Sequence, residues 1–127
     1  VPHIIVEYSA NLEGSADIRG LVDDLHQVVV DSGVADLAAI RTRAERRDVY
    51  RVADGDPKNA FVHVTMRLRI GRSEKQRRKL ADALLAATDR NLQSSYASHA
   101  IAITVEMEEI DNLTARKNTI RTPEKTA

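Results

Sequence analysis

The sequence has no cysteine, which excludes disulfides, thiolate catalysis and cysteine-ligated zinc. It has no tryptophan and only one phenylalanine beside three tyrosines, so aliphatic side chains have to fill the core. Neither sign of charge predominates, with 19 Lys and Arg against 19 Asp and Glu. No overall field therefore draws the chain to nucleic acid or to an anionic membrane, and any anion binding must come from local clusters. Long apolar runs are missing, as is the basic-then-apolar layout of a secretory signal, so neither a membrane partner nor export is expected and the cytoplasm is the expected compartment. The four histidines are scattered without metal-ligand spacing, and neither a metal nor another cofactor is expected.

What is present reads as one domain over residues 1–127. Pro2 to Tyr8 is a strand, with Ile4, Val6 and Tyr8 on one face and His3, Ile5 and Glu7 on the other. After a polar turn, Ser15 is the expected N-cap of a helix carrying Ile18, Leu21, Val22, Leu25, Val28 and Val29 at helical spacing until Gly33. Leu37 to Ala44 reads as a second strand, with Ile40 facing the core and Arg41 and Arg43 together on the opposite face. Residues 45–59 form a charged connection that closes in a turn through Asp54, Gly55, Asp56 and Pro57.

Ala60 to Ile70 alternates cleanly, with Val62, Val64, Met66, Leu68 and Ile70 on one face and Phe61, His63, Thr65, Arg67 and Arg69 on the other. Ser73 and Gln76 have the spacing of a capping box, opening a helix whose inner stripe is Leu80, Leu84, Leu85, Thr88 and Leu92. Ala100 to Ile110 alternates again as a last strand, and residues 111–127 form a polar tail that includes Pro123.

The order strand, helix, strand thus occurs twice, in residues 1–44 and 60–110, the second unit starting roughly 58 residues after the first. Two such βαβ units predict an α/β (α+β) fold: a four-stranded mixed sheet with two helices on one face and right-handed crossovers. The other sheet face, with Ile5 and Phe61, would be left bare, which predicts self-association through it.

The segment VPHIIVEYS holds the most chemical promise. If Val1 is removed, the ring nitrogen of Pro2 becomes a secondary amine, fixed at a strand end and able to take and return a proton near neutral pH. While Val1 stays attached, that nitrogen is an amide without a basic lone pair. The start PHIIVEYSANL, the segment AIRTRAERRDVYRVADGDPKNAFVHVTMRL and the turn GRSEKQR together resemble the 5-carboxymethyl-2-hydroxymuconate isomerases of the tautomerase superfamily, collinearly up to about Glu109. The resemblance implies a homotrimer of paired βαβ units, Pro2 as the acid/base, and Arg41 and Arg72 as cations for the carboxylates of a small polycarboxylate enol, with Arg43 a further candidate.

Plainer readings stand beside these. Arg41 and Arg43 could be solvated edge charges, and Arg72 a loop cation. The run Lys75, Arg77, Arg78 and Lys79 lacks stacking aromatics and reads as a solvated face, not a nucleic-acid site. Two alternative functions fit the same scaffold: a tautomerase for a simpler enol such as phenylenolpyruvate, and a non-catalytic binding or assembly module if Val1 is retained.

Overall fold

The computed structural model describes residues 1–121. Residues 122–127, with the tail's Pro123, lie outside the described residues. Four strands and two helices follow one another as β1 (His3–Ser9), α1 (Ile18–Ser32), β2 (Arg41–Arg47), β3 (Asn59–Arg69), α2 (Glu74–Asn91) and β4 (Ala100–Ile110). The sheet order is β2-β1-β3-β4. Each βαβ half contributes a parallel pair, β1 with β2 and β3 with β4, and the halves join through the antiparallel pair β1 and β3. In that central ladder Val6 lies opposite Val64. These positions are 58 apart (64 − 6), so the repeat offset is met where each half pairs with its own equivalent, and an approximate two-fold axis passes through that rung.

The alternation of the strands sets the layers. Ile4, Val6 and Tyr8 of β1, with Ala60, Val62, Val64, Met66 and Leu68 of β3, are buried under Leu21, Leu25 and Val29 of α1 and Leu80, Leu84 and Ala87 of α2. Each such Leu, Ile, Val or Met side chain contributes roughly 1.5–3 kcal/mol by leaving water. From the edge strand β4, Ile101, Ile103, Val105 and Met107 pack partly buried against the same core.

Four local expectations are corrected. The N-cap of α1 is Asp17, whose carboxylate accepts from the Gly20 amide at 3.0 Å, while Ser15 Oγ lies 2.9 Å from Ser95 Oγ. A carboxylate is favoured there because it meets both free amides and the positive end of the helix dipole. Leu37–Ala39 is a short 3-10 turn and not strand, since Ala39 and Ile40 donate back to Asp36 and Leu37. β2 instead begins at Arg41, where β1 first offers a partner in His3, and runs on through Arg47. Its charged end is tolerated because the strand lies at the sheet edge and Arg47 pairs with Glu7 of β1 at 3.0 Å. Leu85 is 42% exposed, because its position next to Leu84 turns it off the inner stripe. Ile70 is 50% exposed, being one residue past the end of β3.

The Ser73–Gln76 capping box is formed as expected: Ser73 Oγ accepts from the Gln76 amide at 3.1 Å, and Gln76 Oε1 accepts from the Ser73 amide at 3.0 Å. The sheet face turned away from the helices is mixed in character. Phe61 meets the ring of Tyr50 edge-on at 6.2 Å, while His63 lies 3.0 Å from Glu106 and Arg67 3.3 Å from Glu108. No helix among the described residues is long and apolar enough to cross a membrane.

Candidate functional site

At one end of the sheet β1 and β2 begin and β3 and β4 finish. This topology gathers residues far apart in sequence around a cleft of about 690 Å³. Val1 and Pro2 enter from the start of β1, Arg41 from the start of β2, Arg69 from the end of β3, Arg72 from the turn into α2, and Arg116 with Lys117 from the segment after β4. Asp36 is the one acid lining the cleft among the described residues. Among those residues no carboxylate forms an ion pair with Arg41, Arg69, Arg72 or Arg116. Mutually close cations with so little counter-charge favour an anionic guest.

Main-chain carbonyls aim the two guanidinium groups that the sequence singled out. Arg41 NH1 donates to Ala39 O at 2.5 Å, and the Arg41 amide donates to Pro2 O at 3.1 Å, which ties the start of β2 to the start of β1. Arg72 NH1 donates to Arg69 O at 3.3 Å, and its NH2 donates to Val34 O. Of the five N–H donors on each guanidinium, those bonds engage one on Arg41 and two on Arg72, leaving the rest for a ligand. The turn that delivers Arg72 depends on Gly71, whose φ of 122° lies in the left-handed region that side chains disfavour.

The amine of Val1 donates to Ala39 O at 3.2 Å and is depressed below the ordinary α-amino value of 8.0. Burial is the largest cause, followed by the charges of Arg41, Arg116, Arg69 and Arg72. Pro2 itself is buried, so a nitrogen at that position lies in the same cationic field and is held rigidly by the ring.

Arg43 stands apart. It does not line the cleft, and its NH1 lies 3.0 Å from His3 Nδ1. His3 is held below the ordinary imidazole value, by burial first and then by Arg43 and Arg67. A neutral ring accepting from the guanidinium fits that direction. Arg69, Arg116 and Lys117 are lining residues that the sequence did not single out. Arg69 carried a faint signal, as one of the basic residues in RLRIGR. Arg116 and Lys117 sit in a polar stretch without periodicity, where only the paired basic side chains could have drawn notice. Among the described residues no group of three or more His, Asp or Glu could hold a metal ion.

A family model of 5-carboxymethyl-2-hydroxymuconate isomerase matches residues 2–123. The chain belongs to this family. The 5-carboxymethyl-2-hydroxymuconate Delta-isomerase of Escherichia coli is 32% identical over 110 residues, which span 87% of each chain. A crystal structure of a 5-carboxymethyl-2-hydroxymuconate isomerase from Deinococcus radiodurans R1 is similar at a TM-score of 0.86, with 30% identity over 93% of this chain and 90% of that one. A fused 4-OT described as a symmetric trimer shares the fold at a TM-score of 0.70 and 22% identity, over 94% of each chain. The chain is therefore an isomerase with a tautomerase-superfamily fold, and the 5-carboxymethyl-2-hydroxymuconate isomerase family sets the chemistry against which the cleft is read.

Proposed function

We propose that the protein ketonises 5-carboxymethyl-2-hydroxymuconate, or a similar 2-hydroxydienoate bearing several carboxylates, in aromatic-acid breakdown, and that the working form begins at Pro2. The observation that carries this reading is the convergence of Pro2, Arg41 and Arg72 on one cleft that has a single acid among its described lining residues. The free ring nitrogen takes the proton of the 2-hydroxyl group, the oxygen's electron pair moves into the conjugated system, and the nitrogen returns the proton to the carbon at its far end. Substrate and product are isomers, and the amine ends as it began. The guanidinium groups hold carboxylates bidentately and stabilise the negative charge of the intermediate dienolate.

The test is ultraviolet detection of dienol loss by protein that begins at Pro2. The rate should fall as pH drops and the amine is protonated. Burial and four guanidinium groups lower the pKa of the Val1 amine; a Pro2 amine one residue away meets the same surroundings, so this acid limb of kcat/KM should lie below the ordinary α-amino range of about 7.7–8.0. Absence of ketonisation, or a kcat/KM with no acid limb anywhere below that range, would exclude the proline mechanism.

The proposal includes a homotrimer assembled through the outer sheet face, supported by the trimeric fused 4-OT with this fold and by Ile5 and Phe61 on that face. Sedimentation equilibrium should give three times the 14.1 kDa chain mass; a stable monomer at micromolar concentration would remove this part.

A further inference from the structure

The segment after β4 belongs to no helix or strand, yet it has a defined course. Asp111 fixes its start: the Leu113 amide donates to Asp111 Oδ1 at 2.7 Å, and Thr114 Oγ1 donates to Asp111 O at 2.8 Å. Asn118 fixes its far side, donating from Nδ2 to Ala38 O at 2.9 Å, in the loop that leads into Arg41. The chain between these two points runs along the cleft and contributes Asn112, Arg116, Lys117 and Asn118 to its lining.

Apolar burial does not hold this stretch there. Leu113 is 91% exposed and Ile120 60% exposed, so nothing hydrophobic offsets the roughly 1–2 kcal/mol per residue lost in ordering a backbone. Its few hydrogen bonds bring a further positive charge to a place that is already cationic, an arrangement that is unfavourable until an anion lies between the charges. Arg116 itself makes no ion pair among the described residues.

We propose that Arg116 is a specificity-determining residue that grips a distal carboxylate of the substrate, so that the segment after β4 selects enols with several carboxylates over enols with one. This rests on the enol-isomerase reading above and deepens it. Arg41 and Arg72 are anchored to main-chain carbonyls of the folded domain and line the cleft with Pro2. Arg116 approaches from a different part of the chain, and a third carboxylate, as on 5-carboxymethyl-2-hydroxymuconate, gives it a partner that a monocarboxylate such as phenylenolpyruvate lacks.

The test compares the parent chain beginning at Pro2 with its Arg116→Ala and Arg116→Lys variants on those two substrates. A charge-assisted hydrogen bond contributes about 1.5–3 kcal/mol, so Arg116→Ala should lower kcat/KM for the tricarboxylate roughly 10–150-fold, chiefly through KM. The monocarboxylate should change less than about threefold on the same scale, and lysine should restore part of the loss. Removing one cation should also move the acid limb of kcat/KM to higher pH. Equal losses on both substrates, or no loss on either, would overturn the assignment.

Should the parent chain turn over no enol, the proline reading fails separately. Arg116 is then judged by calorimetric binding of tricarballylate, a non-reacting tricarboxylate, against phenylacetate. Weakening by Arg116→Ala of tricarballylate binding alone supports the assignment, and unchanged binding refutes it. Arg116 is exposed, so the substitution removes a surface charge without opening the core.

Discussion

Protein that keeps Val1 should isomerise the dienol about 10²–10⁴-fold more slowly than protein that begins at Pro2, the range typical of losing a positioned acid or base. With Val1 attached, the Pro2 nitrogen is an amide, and the nearest free amine is the one that donates to Ala39 O. That amine is a residue away from the position set by the ring, and a displacement of even 1 Å can cost about 10²-fold. Pro2→Ala in a chain starting at residue 2 should cost less, because it keeps an amine at the same position and loses only the rigidity and the secondary character of the ring. Preparations whose amino terminus is verified by mass spectrometry, assayed side by side, decide the matter. Equal turnover with and without Val1 would mean that the proton travels by another group.

The second large effect is expected at Arg72. Arg72→Ala should lower kcat/KM by about 10–150-fold, since a bond from a guanidinium to a carboxylate contributes roughly 1.5–3 kcal/mol. A loss confined to KM would mark Arg72 as a ground-state carboxylate clamp, whereas an equal fall in kcat would mark it as stabilising the dienolate. Arg72→Lys should recover little, because an ammonium cannot span Val34 O and Arg69 O and still present a fork to the substrate. The two carbonyl bonds also hold the α1–β2 loop to the end of β3, so thermal denaturation should be measured on the same variants. If kcat/KM stays at the parental level while the melting temperature drops, the residue is a structural tie and no clamp.

Much of this was readable in the residues, and the rest was hidden for identifiable reasons. The strands β1, β3 and β4 declared themselves because one sheet face is buried and the other is not, which forces strict alternation. The capping box at Ser73 was visible because reciprocal side-chain bonds require that spacing. The start of β2 was misplaced because LAAI is apolar enough to pass for strand, while the actual limit comes from where β1 can offer hydrogen bonds, a long-range condition that no local pattern records. At the site, Arg41 and Arg72 stand out in the sequence through the family resemblance, since by pattern alone Arg41 falls inside a strand and Arg72 reads as a loop cation; the fold brings both to the cleft with Pro2. Arg43 shares a strand face with Arg41, yet it stands two residues farther from the sheet end, opposite Ile5, and its guanidinium meets the His3 ring instead of the cleft. Arg116 was illegible because its position depends on a polar segment held by isolated hydrogen bonds, which leave no periodic trace.

The two-fold axis through Val6 and Val64 has a consequence for how many reaction centres one polypeptide can hold. Under the 58-residue offset Pro2 corresponds to Ala60 and His3 to Phe61, whose ladder partner is Ala102 where His3 has Arg41. Ala60 is bonded to a residue on each side, so its nitrogen is an amide whatever side chain stands there. A duplicated scaffold with one beginning can expose one terminal amine, and the symmetry of the framework cannot extend to its chemistry. The opposite end of the sheet accordingly carries Phe61 and Ala102 where the cleft end carries His3 and Arg41.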